Sequence, residues 1–403
     1  MKLVLTYFVL FFTTFLQANE LTWNLNDVSY LMKIPNKPTE TTNHLLSPYS
    51  KGSKGELLPL AIFQRLPTLN NAGNGMEIAY NQELKVVSIR IDPCPNTFDP
   101  SLCQPEIRLI WQPLEIDKDE NRWFAQDAAV HTFYKLSHSQ FATLKKDLWR
   151  LKMSNKSQSI STHKLALQIH PALLNEATEQ TFSKTLNSIL LKNCGEENLV
   201  KVTFMSLLTP NVWWRFGGIV PSFEKWENLK IPRLIPTFQD IFNSAFEPVS
   251  MIHNPGVEMD AIFNIHPDNY PAIDNIFNVI NKGFRHNDDN DYPIFKSKLD
   301  AVERFRNPHF SNPNTLDCAS CHYADATKFY SEKRFPTLKD VNSYYAFKNP
   351  NSSLFNLDNH TIAKEATRVV RAFGYFDNKP AINQRTINDS AESAHWLNTK
   401  TNK

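Results

Sequence analysis

Glycine is scarce in this chain, with 10 in 403 residues against 25 prolines. Few backbone positions are therefore free to turn left-handed and many have φ fixed, which predicts rigid, extended connections. No glycine-rich phosphate loop occurs, and GxSxG and HExxH are missing as well, which removes the commonest signatures of nucleotide binding, serine hydrolysis and zinc proteolysis. An excess of charge is also lacking. The 43 basic and 41 acidic side chains give a formal net charge of +2, which argues against an electrostatic nucleic-acid binder. Beyond residue 18 there is no long uninterrupted apolar run, so no integral membrane segment is expected downstream. Cysteine is limited to 5 positions, and no methionine follows Met259.

The first 18 residues have the make-up of an export signal. Lys2 supplies the positive start, Leu3 to Leu16 the apolar core, and Leu16-Gln17-Ala18 a cleavage site before Asn19. The expectation is a periplasmic or secreted bacterial protein with no integral membrane segment after signal removal. The remaining length exceeds what one compact core usually holds, so two domains are expected, at 19–286 and 287–403.

Several strands are legible. Val87, Ile89 and Ile91 alternate with Ser88 and Arg90, and Ile107, Leu109 and Trp111 repeat the pattern. Leu58–Phe63 reads as a strand limited by Pro59 to an edge, and a short strand is expected near Tyr30-Leu31-Met32. Leu199–Leu208 and Val212–Phe216 form a further pair, with another strand over Val257–Ile265. Helices are predicted after the capping box Ser137-His138-Ser139-Gln140, along Phe182, Leu186, Ile189 and Leu190, and from Pro271 and Pro293. Helical segments are also expected around 361–372 and 387–398. Strands, then helices, then strands predict an α+β fold of antiparallel sheets with packed helices, followed by a smaller, mainly helical domain. Asp288 to Asp291 lack the alternating spacing and closing glutamate of a calcium loop and read as a solvated linker.

Cys94 and Cys103 lie at neighbouring ends of two strands that pair if antiparallel, within disulfide reach, and export favours that bond. Cys194, near a helix end, reads as a buried small hydrophobe. The remaining two belong to Cys318-Ala319-Ser320-Cys321-His322, a CxxCH pentad. Two thiols three residues apart can each add to a vinyl group of one haem, and the adjoining imidazole then ligates the iron. A thioredoxin-like disulfide would need a strand before the motif, whereas Asn312–Asp317 is loop-like in composition. A zinc site would need two more ligands and reduced thiolates.

On this pentad the chain resembles c-type cytochromes. The resemblance covers Cys318 to His322 and, loosely, the helical tail. It implies haem c held by Cys318 and Cys321 with His322 on the iron, seated between a helix at Pro293–Arg306 and another at Thr386–Leu397. It also implies one-electron transfer with a redox partner protein. The 280 N-terminal residues resemble the non-haem part of exported bacterial proteins, themselves uncharacterised, that end in a CxSCH segment; this implies no activity. The departure from the family is the missing downstream methionine. His309, His360 and His395 are candidate sixth ligands, Met205, Met251 and Met259 are alternatives from the larger domain, and an open iron is a third arrangement. An open iron would suit a peroxidase-like oxidoreductase or a small-ligand sensor, although exported peroxidases of this family usually carry two such motifs. Tyr323, Phe329, Tyr330 and Phe373-Gly374-Tyr375-Phe376 are candidate walls of the pocket. Arg368, Arg371 and Lys379 are candidate partners for haem propionates.

Overall fold

The computed structural model describes residues 22–66, 80, 84–94, 103–208, 213–223, 225–229, 241–242, 248–249, 292–311, 318–348, 352–364 and 369–400. The strand and helix expected over Val257–Ile265 and from Pro271, and the acidic run at Asp288–Asp291, lie outside them.

The centre is an antiparallel eight-stranded sheet. Its strands are β1 (Ser29–Leu31), β2 (Leu84–Asp92), β3 (Glu106–Asp117), β4 (Arg122–Ala125), β5 (Ala128–Lys135), β6 (Leu199–Leu208), β7 (Trp213–Ser222) and β8 (Lys225–Asn228). The spatial order is β1-β2-β3-β5-β6-β7-β8, with β4 pairing on β3. The register sets Ile89 opposite Leu109 and Leu109 opposite Thr132, while Arg90 faces Arg108 and Arg108 faces Phe133. Side chains alternate across a strand, so these rows define two unlike faces.

One face is apolar. Tyr30, beside Ile89 in the register, meets Phe182 of a covering helix at 6.2 Å between ring centroids. Two long helices supply that cover: α3 (His138–Ser157) and α4 (Glu176–Asn193), after the short turns α1 (Leu25–Val28) and α2 (Leu60–Phe63). The start of α3 is fixed as the sequence predicts. Gln140 N–H donates to Ser137 Oγ at 3.2 Å, and Ser137 N–H donates back to Gln140 Oε1 at 2.8 Å. Phe141, Leu144, Leu148 and Leu151 of α3 and Phe182, Leu186 and Leu190 of α4 are buried in one core with the sheet. Each such side chain contributes roughly 1.5–3 kcal/mol by leaving water. Cys194 caps α4 as a free, fully buried thiol.

The segment Leu58–Phe63 departs from the strand expectation: Leu60–Phe63 is a helical turn. Pro59 lacks an N–H, and its fixed φ of -56° leads into a first turn, where no donor is needed. A second departure lies at 361–372. Ile362–Lys364 form a short 3-10 turn, 365–368 lie outside the described residues, 369–372 are irregular, and a strand begins at Phe373.

The other face of the sheet is polar and is covered by the C-terminal elements. These are α5 (Tyr292–Arg306), α6 (Cys318–Arg334), the hairpin β9 (Phe373–Phe376) and β10 (Lys379–Ile382), and α7 (Gln384–Lys400). Ser88 donates to the Phe373 carbonyl at 3.0 Å. Gln112 and Tyr375 exchange two bonds, Nε2 to carbonyl at 3.0 Å and N–H to Oε1 at 2.7 Å. Arg90 reaches Asp389 of α7 at 2.8 Å. Phe373, Tyr375, Ile382, Ile387 and Leu397 share the main hydrophobic core with the sheet.

Candidate functional site

The pentad occupies the first turns of α6. Positions 318, 321 and 322 are related by three and four residues, so both cysteines and the histidine stand on one side of the helix. The side chain of Cys318 lies outside what the structure describes. His322 is buried between the chain around Val370 and the polar face of the sheet, where its ring meets that of His131, while Cys321 is half-buried. Asn383, just before α7, donates to the Cys321 carbonyl at 3.2 Å. Asp325, one turn on, accepts the Gln384 N–H at 2.6 Å and pairs with Arg306 at 2.9 Å. Glu303 binds both Arg306 at 3.0 Å and Lys328 at 2.5 Å, which locks α5 to α6. The pentad is therefore held by helices on both sides, α5 before it and α7 after it.

His322 is 8% exposed, and its Nδ1 is 2.5 Å from the Val370 carbonyl. A carbonyl can only accept, so Nδ1 carries the proton and Nε2 keeps the lone pair. Burial pushes this imidazole down to about 4, and Arg371 pushes the same way against the pull of the carbonyl. His322 is therefore neutral at physiological pH, with its tautomer fixed by an outer-shell bond. An imidazole that ligates a metal needs both properties. Burial pushes the Cys321 thiol up to about 11, with Arg385 only partly opposing. That thiol is no resting thiolate nucleophile.

Charges surround this turn in compensated pairs. Arg90 lies between Asp92 at 3.3 Å and Asp389 at 2.8 Å, and Arg385 joins Asp389 at 2.8 Å. Burial lifts the Asp92 carboxyl to about 6 against the pull of Arg90. Burial also raises Asp389, but Arg385 and Arg90 outweigh it and hold that carboxyl below its ordinary value. Arg108 pairs with Glu106 at 3.0 Å and lies 4.4 Å over the Phe133 ring. Arg371, 3% exposed at its side chain, pairs with Asp127 and approaches Met205 Sδ at 3.9 Å. It is thus engaged by the sheet. Lys379 is exposed on the hairpin, and Arg368 lies outside the described residues.

The structure places the other expected residues as follows. Tyr323 is buried beside Arg371 and Asp127. Tyr375 is drawn away to the sheet, where its hydroxyl donates to the Met32 carbonyl at 2.5 Å. His309 Nε2 is 3.3 Å from Glu392, and its ring stacks on Phe347 at 5.7 Å. His360 is exposed and His395 half-buried, while Met251 and Met259 lie outside the described residues. Cys94 and Cys103 form a disulfide with their Cα atoms 4.9 Å apart.

Sequence reasoning overlooked His131. It stands on β5, opposite Ile110 on one side and Thr203 on the other, on the polar face. Its ring centroid is 6.2 Å from that of His322, at an interplanar angle of 30°. Burial, with His322 and Arg108 as neighbours, pushes His131 well below its ordinary value. The signal was the run Val130-His131-Thr132-Phe133-Tyr134, whose alternation marks a strand.

Among the described residues no three His, Cys, Asp or Glu side chains are gathered to hold a metal ion by themselves. A closed, all-protein zinc site therefore finds no support there. The donor set fits a haem: a neutral, tautomer-fixed imidazole next to a half-buried cysteine on one helix face. Among the described residues no helix is long and apolar enough to cross a membrane. Comparison with protein families, curated proteins and solved structures finds no match to this chain.

Proposed function

We propose that the chain is an exported c-type haem protein that carries one electron at a time. The observation that carries this reading is the state of His322 within the pentad: buried, neutral, and bonded through Nδ1 to the Val370 carbonyl. Cys318 and Cys321 would hold the porphyrin through thioethers, and His322 Nε2 would face the iron. The haem supplies the redox chemistry. The protein would orient the His322 imidazole toward the iron through the Val370 carbonyl, keep bulk water from it and fix the charge nearby.

The buried pair Arg90–Asp389 and the pair of buried Arg371 with the partly exposed Asp127 belong to this role. They put fixed charge close to the pentad without loose counter-ions, and such charge sets a reduction potential. The partner is a redox protein met in the exported compartment. The C-terminal elements form the haem-bearing, cytochrome c-like part in this reading. The sheet would be the platform on which they rest.

The test is expression in a host that matures c-type cytochromes. The wild-type chain should titrate as a reversible one-electron couple. Cys318→Ala with Cys321→Ala should remove the bound haem while leaving the sheet folded by circular dichroism. A double variant that keeps a covalent haem would overturn the assignment.

A further inference from the structure

We infer that His131 is the second axial ligand of the iron opposite His322. The inference rests on the haem reading above and extends it to the far side of the metal. Two imidazoles bound to opposite sides of one ion at metal–nitrogen distances of about 2 Å have ring centroids roughly 6 Å apart. The His131 and His322 rings lie 6.2 Å apart at 30°. That separation is far longer than the 4.2 Å stacking of His170 on Phe182 elsewhere in the fold.

The setting of His131 suits a ligand. β5 is an interior strand, hydrogen-bonded to β3 on one side and β6 on the other, so its backbone is held on both edges. A ligand on such an element is placed more reproducibly than one on a loop. The face that presents His131 is the one that the hairpin and α7 cover, as the bonds of Ser88, Gln112 and Arg90 show.

The competing candidates are less well placed. His309 is committed to Glu392 and stacked on Phe347. His360 is exposed, and His395 sits half-buried on α7. Among the described residues Met205 is the one serious rival. It is 2% exposed, lies two residues beyond Thr203 on the same face of the sheet, and has its sulfur 3.9 Å from Arg371. An imidazole from His131 would give bis-histidine ligation and a potential below that of a histidine–methionine pair.

The full-length chain, matured with haem, supplies the test, with haem content per chain measured first in each variant. In wild type the ferric spectrum should be low-spin without the methionine charge-transfer band, and the ferrous form should not bind carbon monoxide. His131→Ala should retain one haem per chain, turn high-spin and bind carbon monoxide stoichiometrically; added imidazole should restore the low-spin spectrum. His131→Met, which keeps a donor at that position should the alanine variant fold poorly, should bring in the methionine band and raise the potential. Met205→Leu should match wild type. A haem-replete His131→Ala that stays low-spin, a Met205→Leu that gains carbon monoxide binding, or a wild type already open to carbon monoxide would overturn the assignment of His131 alone. A wild type with no covalent haem would overturn the haem reading, and the ligand assignment with it.

Discussion

At the scale of single residues, the chain pays heavily to bury neutral imidazoles, and one of them reports on stability. His170 is 2% exposed, accepts the Ala172 N–H at Nδ1 at 3.2 Å, and is pushed down to about 3 by burial, helped by Lys152. The unfolded value is about 6.5, so the unfolded chain takes up a proton that the folded one refuses. The stabilisation is complete above about pH 6.5 and is lost as pH falls towards 3, by up to roughly 4 kcal/mol. Urea midpoints should drop over that window. His170→Asn, which keeps a capping acceptor for Ala172, should flatten that acid limb; an unchanged pH profile would show that other groups dominate. Legibility at this scale was uneven. The pentad was readable because thiol spacing is a local property of the chain. His131 was not, because nothing in the sequence says that a strand and a helix 191 positions apart will face their rings towards each other.

Among the elements, strands with strict alternation were legible and irregular segments were not. Val87–Ile91 and Ile107–Trp111 pair antiparallel as expected, and the capping box at Ser137 begins α3. Pro59 misled because proline opens a helical turn as readily as it marks an edge strand. The aromatic run Phe373–Phe376, a candidate pocket wall, forms β9 and is bonded to the sheet through Gln112. A Cβ on Gly374 would come within 2.4 Å of Gln112 Oε1. Gly374→Ala must therefore displace a side chain whose two polar ends are already bonded, and should cost about 1–3 kcal/mol. A thermal midpoint equal to wild type would show that the hairpin can shift without penalty. The Cys94–Cys103 bond closes the short connection between β2 and β3. Replacing both with alanine should destabilise by about 2–3 kcal/mol, read from the urea midpoint at pH 7. Peptide mapping without reduction should recover the two joined, leaving Cys194 alone.

For the molecule as a whole, the account turns on a sheet with two unlike faces. Its apolar face builds the core with α3 and α4. Its polar face receives α7 and the hairpin through bonded pairs such as Arg90–Asp389 and Ser88–Phe373, and α6 through the His131–His322 ring pair. Alternation of Ser88, Arg90 and Asp92 with Ile89 and Ile91 made that two-sidedness readable, but what covers the polar side depends on contacts across nearly 300 positions. The central claim is that this second layer carries a covalently bound haem. Intact mass of the chain purified from a host competent in c-type maturation tests it most directly. The account predicts a mass above the processed polypeptide by one haem, with the colour staying on the protein through acid–acetone extraction. A colourless chain at the bare polypeptide mass, with Cys318 and Cys321 both open to alkylation, would contradict it.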